Sequence, residues 1–432
     1  MGIDLSRAWA RALFFVTVIV CSSVFTFFAG KACVAALCNA SPNPELWRKA
    51  ATLEPNDAEY WAHVGLSHQW DLSGDNAIET ISDLQMATQL NPRSADLWME
   101  LADAYVNAGD STRAQEAYDR AQASYPISPD VAWRYGNFLL YEQQFPHAYE
   151  QIRRAVSVDP SLTEKALAEC WQYNPDVTAM LDQVLPRKSE YYLKAIDFFL
   201  AQKLPDDALS VWNRQRQLGL PVGLDEALPL VDVLIQQDRV LEAQQTWDQA
   251  MPAVKWPPDQ ASDKSLVWNG GFEHKFANGG FDWRQIPVSG ARFAIDRFTS
   301  HSGSHSLRIQ FDGTTNLDFA HLVHYVAVNP DTHYHFSAYL RTEQISTDRG
   351  ICFEVLDPWH PAQVQTVTRD VTGTNLWTAA QAEIVTGPDT HLLEIILRRM
   401  PSWKFDNKLS GTVWIDDVNL SPVPQAGKGK SG

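Results

Sequence analysis

Prolines recur at Pro55, Pro92, Pro126 and Pro160, spaced by 37, 34 and 34 residues, and the residues between them recur in register. Trp98, Leu101, Ala102, Tyr105, Ala114, Tyr118 and Ala121 precede Pro126, while Ala132, Tyr135, Gly136, Leu139, Ala148, Ile152 and Ala155 precede Pro160. The first interval holds Trp61, Val64, Gly65, His68, Ala77 and Ile81, with three extra residues before Pro92. A fixed period of this length marks a stacked array of supersecondary units. Small residues let two antiparallel helices approach, aromatics fill the space between units, and proline stops each second helix. Ala208 with Trp212, and Ala243 with Trp247, repeat the small and aromatic pairing 35 residues apart. The pattern therefore predicts a helical solenoid over 45–250, a shape that offers a long concave surface and no chemistry of its own.

These signature positions resemble the tetratricopeptide repeat (TPR) family. The resemblance implies that one face of each first helix lines a partner groove. Carried onto this chain, the lining is Glu59, Leu66, Gln69 and Trp70 in the first unit. Asp96, Met99, Asp103, Val106 and Asn107 follow in the second unit, and Asp130, Trp133, Asn137, Leu140 and Tyr141 in the third. Such an acidic groove with aromatic anchors suits an extended peptide or a basic protein surface; the alternative is that the acids form a solvated face.

The helical signal stops at 251–265, MPAVKWPPDQASDKS, where three prolines and several polar residues predict a linker. Beyond it the apolar period becomes two. Short strands are expected at 292–297, 305–311, 320–328, 333–342, 350–356, 377–385, 391–398 and 411–420, the rhythm of an antiparallel sandwich or jelly roll. The fold class is therefore multidomain, α then β. Charge divides the same way: residues 1–263 carry 20 basic against 35 acidic side chains, and 264–424 carry 13 against 17.

The segments LVWNGGFE (266–273), SGSHSLRI (302–309), WTAAQAEI (377–384) and GTVWIDDVNL (411–420) together resemble the jelly-roll carbohydrate-binding modules of the cellulose- and xylan-binding type. That resemblance spans 266–424. It implies a structural calcium joining the first strand to the last through Glu273 and Asp416, with Asp417 as a substitute, since hard oxygen ligands suit calcium; a metal-free sandwich is the alternative. Strict alternation along 333–342 sets His335, Ser337, Tyr339 and Arg341 opposite Phe336, Ala338 and Leu340. Glu354 and Arg398 occupy the same polar phase in neighbouring segments. One glycan-binding face built from Tyr339, Arg341, Glu354 and Arg398 is expected, with Trp359 and Trp403 closing over it from loops. Trp283 and Trp377 are assigned to packing. The competing reading makes Arg341, Glu354 and Arg398 a cross-strand ion network.

Residues 12–30 run nineteen positions without a charge, enough to cross a hydrocarbon core of ~30 Å as a helix. Arg7 and Arg11 precede the run and only Lys31 follows closely, which places residues 1–11 in the cytoplasm and the rest outside. The expected location is a single-pass anchor in a bacterial inner membrane with the later domains periplasmic; a cleaved signal peptide is the alternative. Of five cysteines, Cys33 and Cys38 are close enough in sequence to bridge, whereas Cys170 and Cys352 read as lone buried thiols.

A net charge of −17 argues against a nucleic-acid partner. No catalytic signature of the HExxH or G-x-S-x-G type occurs, and no zinc-like Cys and His spacing. His333 and His335 share a strand face, whereas His321 and His324 do not, and ordinary surface histidines are expected. The tail 425–432, with its GKGKSG, lacks the strand and helix of a phosphate loop and reads as a flexible end. The expected function is a membrane-anchored, non-catalytic adaptor in cell-surface polysaccharide assembly or export, binding a protein through the repeats and a glycan through the sandwich. A pure protein-interaction scaffold of a secretion or envelope complex is the second reading, and a glycoside-active enzyme the third.

Overall fold

The structure, a computed structural model, describes residues 8–68, 76–253 and 265–424. Residues 1–7, 69–75 with the expected groove residues Gln69 and Trp70, 254–264 of the expected linker, and the tail 425–432 lie outside the described residues. The chain divides into two compact units, Met1–Tyr191 and Tyr192–Gly432.

The first unit opens with α1 (Ala8–Asn39), longer than the expected 12–30 span. At ~1.5 Å per residue it is roughly 48 Å long, and its apolar residues from Leu13 to Phe28 are largely exposed. It is long and apolar enough to cross a membrane. The helix runs on into the repeats: Asn39 accepts a hydrogen bond from the Trp47 indole through its carbonyl and meets the His63 ring through its side chain. Cys33 and Cys38 both lie on α1 and are free. Five residues of helical rise separate them by about 7.5 Å along the axis, beyond the reach of a disulfide, so closeness in sequence does not let them bridge here.

The solenoid then follows as α2 (Pro44–Leu53) and the hairpins α3 (Ala58–His68) with α4 (Ala77–Leu90), α5 (Ala95–Asn107) with α6 (Ser111–Ser124), and α7 (Pro129–Tyr141) with α8 (Phe145–Val158). Local chemistry sets the boundaries. Ser94, Asp110 and Ser128 cap α5, α6 and α7 by accepting the backbone N–H of Leu97, Arg113 and Val131. The Trp61 and Trp98 indoles each donate to the proline carbonyl six residues earlier, Pro55 and Pro92. The small positions are packing positions: a Cβ on Gly136 would lie 2.7 Å from Ile152 Cγ1. Regularity fails after α9 (Thr163–Tyr173), where α10 (Val177–Ala179) runs into a π-helical turn at Met180–Val184.

The second unit holds the rest of α11 (Ser189–Ala201), then α12 (Pro205–Gln217), α13 (Leu224–Gln236) and α14 (Val240–Ala250), followed by ten strands. Eight match the expected segments: β2 (Ala291–Asp296), β3 (Ser306–Asp312), β4 (Phe319–Ala327), β5 (His333–Ile345), β6 (Cys352–Leu356), β8 (Gly373–Val385), β9 (Leu392–Arg399) and β10 (Ser410–Pro422). The two additions, β1 (Arg284–Gln285) and β7 (Gln365–Val367), are too short to show a period. One sheet runs β1-β4-β9-β6-β7, the other β2-β3-β10-β5-β8, and every paired neighbour is antiparallel. Between them lies a core of Phe336, Leu340, Phe353, Leu397, Ile415 and Trp283. This is the expected two-sheet sandwich.

The last helical hairpin packs on the sandwich within this unit. Asp232 of α13 accepts from the Gly280 backbone N–H (2.7 Å) and the Arg284 guanidinium (2.6 Å), and Arg284 lies over the Tyr325 ring. Trp247 of α14 meets Phe281 edge-on. Gly280, at φ +57°, has no room for a side chain, since its Cβ would sit 2.4 Å from the Trp247 ring. The helices α12 to α14 and the sandwich thus belong to one compact unit.

Candidate partner groove and sandwich surfaces

The inner faces of α5 and α7 border a cavity of about 430 Å³ lined by Asp103, Val106, Asn107, Trp133, Asn137 and Tyr141, six of the expected groove residues, together with Glu100, Tyr118, Arg134 and Phe138. Tyr141 is 64% exposed. Trp133 is largely buried and Lys165 Nζ stands 4.8 Å from its ring centroid, a cation–π contact. Asn137 Oδ1 is buried without a hydrogen-bond partner among the described residues. Met99 and Leu140 depart from expectation. Met99 packs against Ala95, Ala121 and Val131, and Leu140 is fully buried, because the inward stripe of a helix is shared between groove and inter-repeat core. Asp96 is exposed in the first turn of α5 and outside the cavity. Trp70 lies outside the described residues.

Arg134 alters the expected electrostatics. Its guanidinium pairs with Glu100 at 3.0 Å and with Asp103, and Asp103 also accepts the Tyr118 hydroxyl. Burial opposes the arginine's charge, but Asp103 and Glu100 hold its pKa above the ordinary value. Burial, then the Asp103 charge, pushes the Tyr118 phenol up, so it stays protonated. With one arginine against two carboxylates, the groove floor is a partly compensated ion cluster that keeps one net negative charge. Arg134 was missed because its neighbours at the matching repeat positions carry no common charge pattern.

The expected glycan face does not form as one surface. Tyr339 and Arg341 lie on β5 in one sheet, whereas Glu354 on β6 and Arg398 on β9 lie in the other. All four are opposite core-facing neighbours, so the two pairs look outward from opposite sides of the sandwich. Glu354 and Arg398 form an ion pair at 3.4 Å, extended by Asp318 at 2.7 Å, and Arg341 instead covers the Trp414 ring. The two loop tryptophans are also parted. Trp359 follows β6 and Trp403 follows β9, and these strands are antiparallel neighbours, so the loops leave opposite ends of the sheet. Trp403 is 94% exposed and Trp359 43%. Of the tryptophans assigned to packing, Trp283 is fully buried, and Trp377 stands half-buried on the outer face, edge-on to His301.

Glu273 and Asp416 meet the same short loop without sharing a site. Glu273 accepts from the backbone N–H groups of Ser304 and His305 and contacts the His305 ring at 2.6 Å. Asp416 accepts from His301 and Ser302 N–H, and Asp417 takes the His301 ring and the Ser302 hydroxyl. The donor set does not fit a calcium cage: N–H and O–H donors occupy the oxygens, and among the described residues no group of three His, Cys, Asp or Glu is placed to hold a metal. Burial, then the neighbouring Asp417 charge, pushes Asp416 up to about 7. Burial works the other way on Glu273 than its contacts do, and the His305 and backbone donors win, holding it below the usual carboxylate value. The histidine pairs separate as well. His324 is a core residue pushed down to about 3 by burial, while His333 and His335 both pair with Glu383.

No curated protein matches the chain. The solved structure of MamA is similar at 15% identity over 41% of this chain and 86% of that one, with a TM-score of 0.27. YrrB, described as a TPR protein with an unusual peptide-binding site, is similar at 15% identity over 50% and 95%, with a TM-score of 0.26. A carbohydrate-binding module of family CBM4 is similar at 18% identity over 36% and 99%, with a TM-score of 0.27. The tetratricopeptide repeat family matches residues 82–129 and 99–161. Residues 82–161, which hold α5 to α8 and the groove, are tetratricopeptide repeats.

Proposed function

We propose that the chain is a membrane-anchored, non-catalytic adaptor whose repeats hold an extended peptide segment of a protein partner. The observation that carries this is the α5–α7 cavity, with an exposed Tyr141, an unsatisfied Asn137 oxygen and a floor whose two carboxylates are already paired with Arg134. A peptide that supplies its own backbone donors suits that floor better than a strongly basic surface. A photo-crosslinking residue at position 141, used in native membranes, should trap the partner, and Trp133→Ala should weaken capture while helicity stays unchanged. Crosslinks that persist in Trp133→Ala together with Asn137→Leu would place the partner elsewhere.

The adaptor's setting is proposed as cell-surface polysaccharide assembly or export, with the sandwich holding a glycan and the domains after α1 outside the bacterial inner membrane. What supports the setting is the resemblance of 266–424 to carbohydrate-binding modules together with the apolar α1. The second reading, a pure protein scaffold, is favoured by the division of the expected sugar-binding residues between two sheets. Retention of the full-length protein on immobilised surface polysaccharide separates the two, since the pure scaffold would pass through.

A further inference from the structure

We infer that Ser337, Tyr339 and Asn419 form a pocket for a single terminal pyranose ring of a neutral saccharide, which rests on the glycan-binding half of the reading above. The cavity arises from the register of β10. Its pairing with β5 shifts between Asp416 and Asn419, with Asp417 at φ 48°, so two residues bulge away from the sheet. The segment 266–270 crosses this bulge. It is stitched down on both sides, by Leu266 N–H donating to the Leu420 carbonyl and Val418 N–H donating to the Gly270 carbonyl, both within 2.9 Å. Gly270 is required there, because a Cβ would lie 2.0 Å from the Val418 carbonyl oxygen. The hollow left beneath is about 220 Å³ and is bordered by Ser265, Ser337, Tyr339 and Asn419.

Three features point to a sugar ring. Asn419 Oδ1 is buried without a hydrogen-bond partner among the described residues, an acceptor that calls for a hydroxyl donor. Tyr339 supplies an aromatic edge held in place: His301 stacks on it at 3.6 Å and 15°, and His301 is tied to Asp417 at 2.5 Å. Asp417 also lines the pocket, but both its oxygens are engaged by His301 and Ser302, so apart from that paired carboxylate the wall presents hydroxyl, amide and aromatic groups with aliphatic patches at Val267 and Val418. Its volume falls below the roughly 300 to 1,000 Å³ of sites that enclose larger ligands. The room suits one ring at a chain end and excludes an internal stretch of polymer.

The test is saturation-transfer NMR on the full chain in a zwitterionic detergent free of sugar headgroups. The probes are the methyl glycosides of glucose, galactose and mannose, with cellopentaose and mannopentaose. Saturation concentrated on one terminal ring is expected, with at least a tenfold loss of affinity in Asn419→Leu and none in Glu354→Ala on the other sheet. Ser337→Val, a smaller change, guards against a folding defect in the first variant and should also weaken binding. Saturation spread over consecutive rings, or binding unchanged in both Asn419→Leu and Ser337→Val, overturns the pocket and leaves the glycan reading standing. Absence of transfer from every probe in natively melting protein overturns the pocket too; retention on surface polysaccharide then preserves the glycan reading, and its loss removes both.

Discussion

Asp416 is fully buried beside a second carboxylate, Asp417, and this sets a pH dependence with a defined sign. Its folded pKa of about 7 lies above the ordinary carboxylate value near ~3.9. Between those two values the folded chain binds the extra proton, so Asp416 makes stability fall as pH rises from about 4 to 7. Glu273 acts oppositely: held low, it contributes above its unfolded pKa and that contribution is lost as pH falls through its folded pKa. Melting curves of the full chain from pH 3 to 8 should show both limbs. Asp416→Asn should flatten the decline between 4 and 7, and Glu273→Gln should weaken the acid limb alone. In the repeats, Gly136→Ala drives a Cβ into Ile152 and Ala114→Phe overfills a position with no exposure. Each should cost about 1 to 3 kcal/mol by denaturant titration, and a parent-like midpoint for both would mean that the helix contacts are misassigned. None of the pH behaviour was legible in the sequence, where Asp416 and Asp417 are simply two adjacent acids; only burial and the N–H groups of a loop over a hundred residues away distinguish them.

At the scale of elements, strand phase was legible and strand partnership was not. The alternation of β5, β6 and β9 correctly separates core residues from outward ones. It carries no information on which sheet a strand joins, so Tyr339 with Arg341 and Glu354 with Arg398 look alike in sequence and face opposite ways in space. The closing strand illustrates the same limit. GTVWIDDVNL reads as one uninterrupted segment, yet the bulge at Asp417 turns it into the wall of a cavity. Glu273 and Asp416, the carboxylates through which calcium was expected to join the first strand to the last, instead accept backbone N–H groups of Ser304 and His305 and of His301 and Ser302. A chelator should therefore leave the melting temperature of the full chain unchanged; a clear drop, reversed by added calcium and absent in Glu273→Ala, would reinstate the metal.

For the whole molecule, the full chain should fractionate with membranes and resist extraction by salt, because nothing in α1 from Leu13 to Phe28 is charged and its apolar side chains stand largely exposed. Recovery of a soluble protein beginning near Lys31 would replace the anchor with a cleaved signal. Asp232→Ala should loosen the hairpin from the sandwich, read as faster amide exchange at Gly280 and in the β1–β4 pair with α5 to α8 unaffected. The sequence by itself determined the repeats, the apolar helix, the switch from helix to strand and the phase of the major strands, since each is a period along the chain imposed by local backbone geometry. Only the tertiary structure decided that Arg134 pairs with two of the groove acids, that the last helical hairpin belongs with the sandwich, and that an orphaned Asn419 oxygen borders a pocket with Tyr339. Those outcomes depend on pairs of residues far apart in the chain, and a contact of that kind is set by how elements pack, which no local period records.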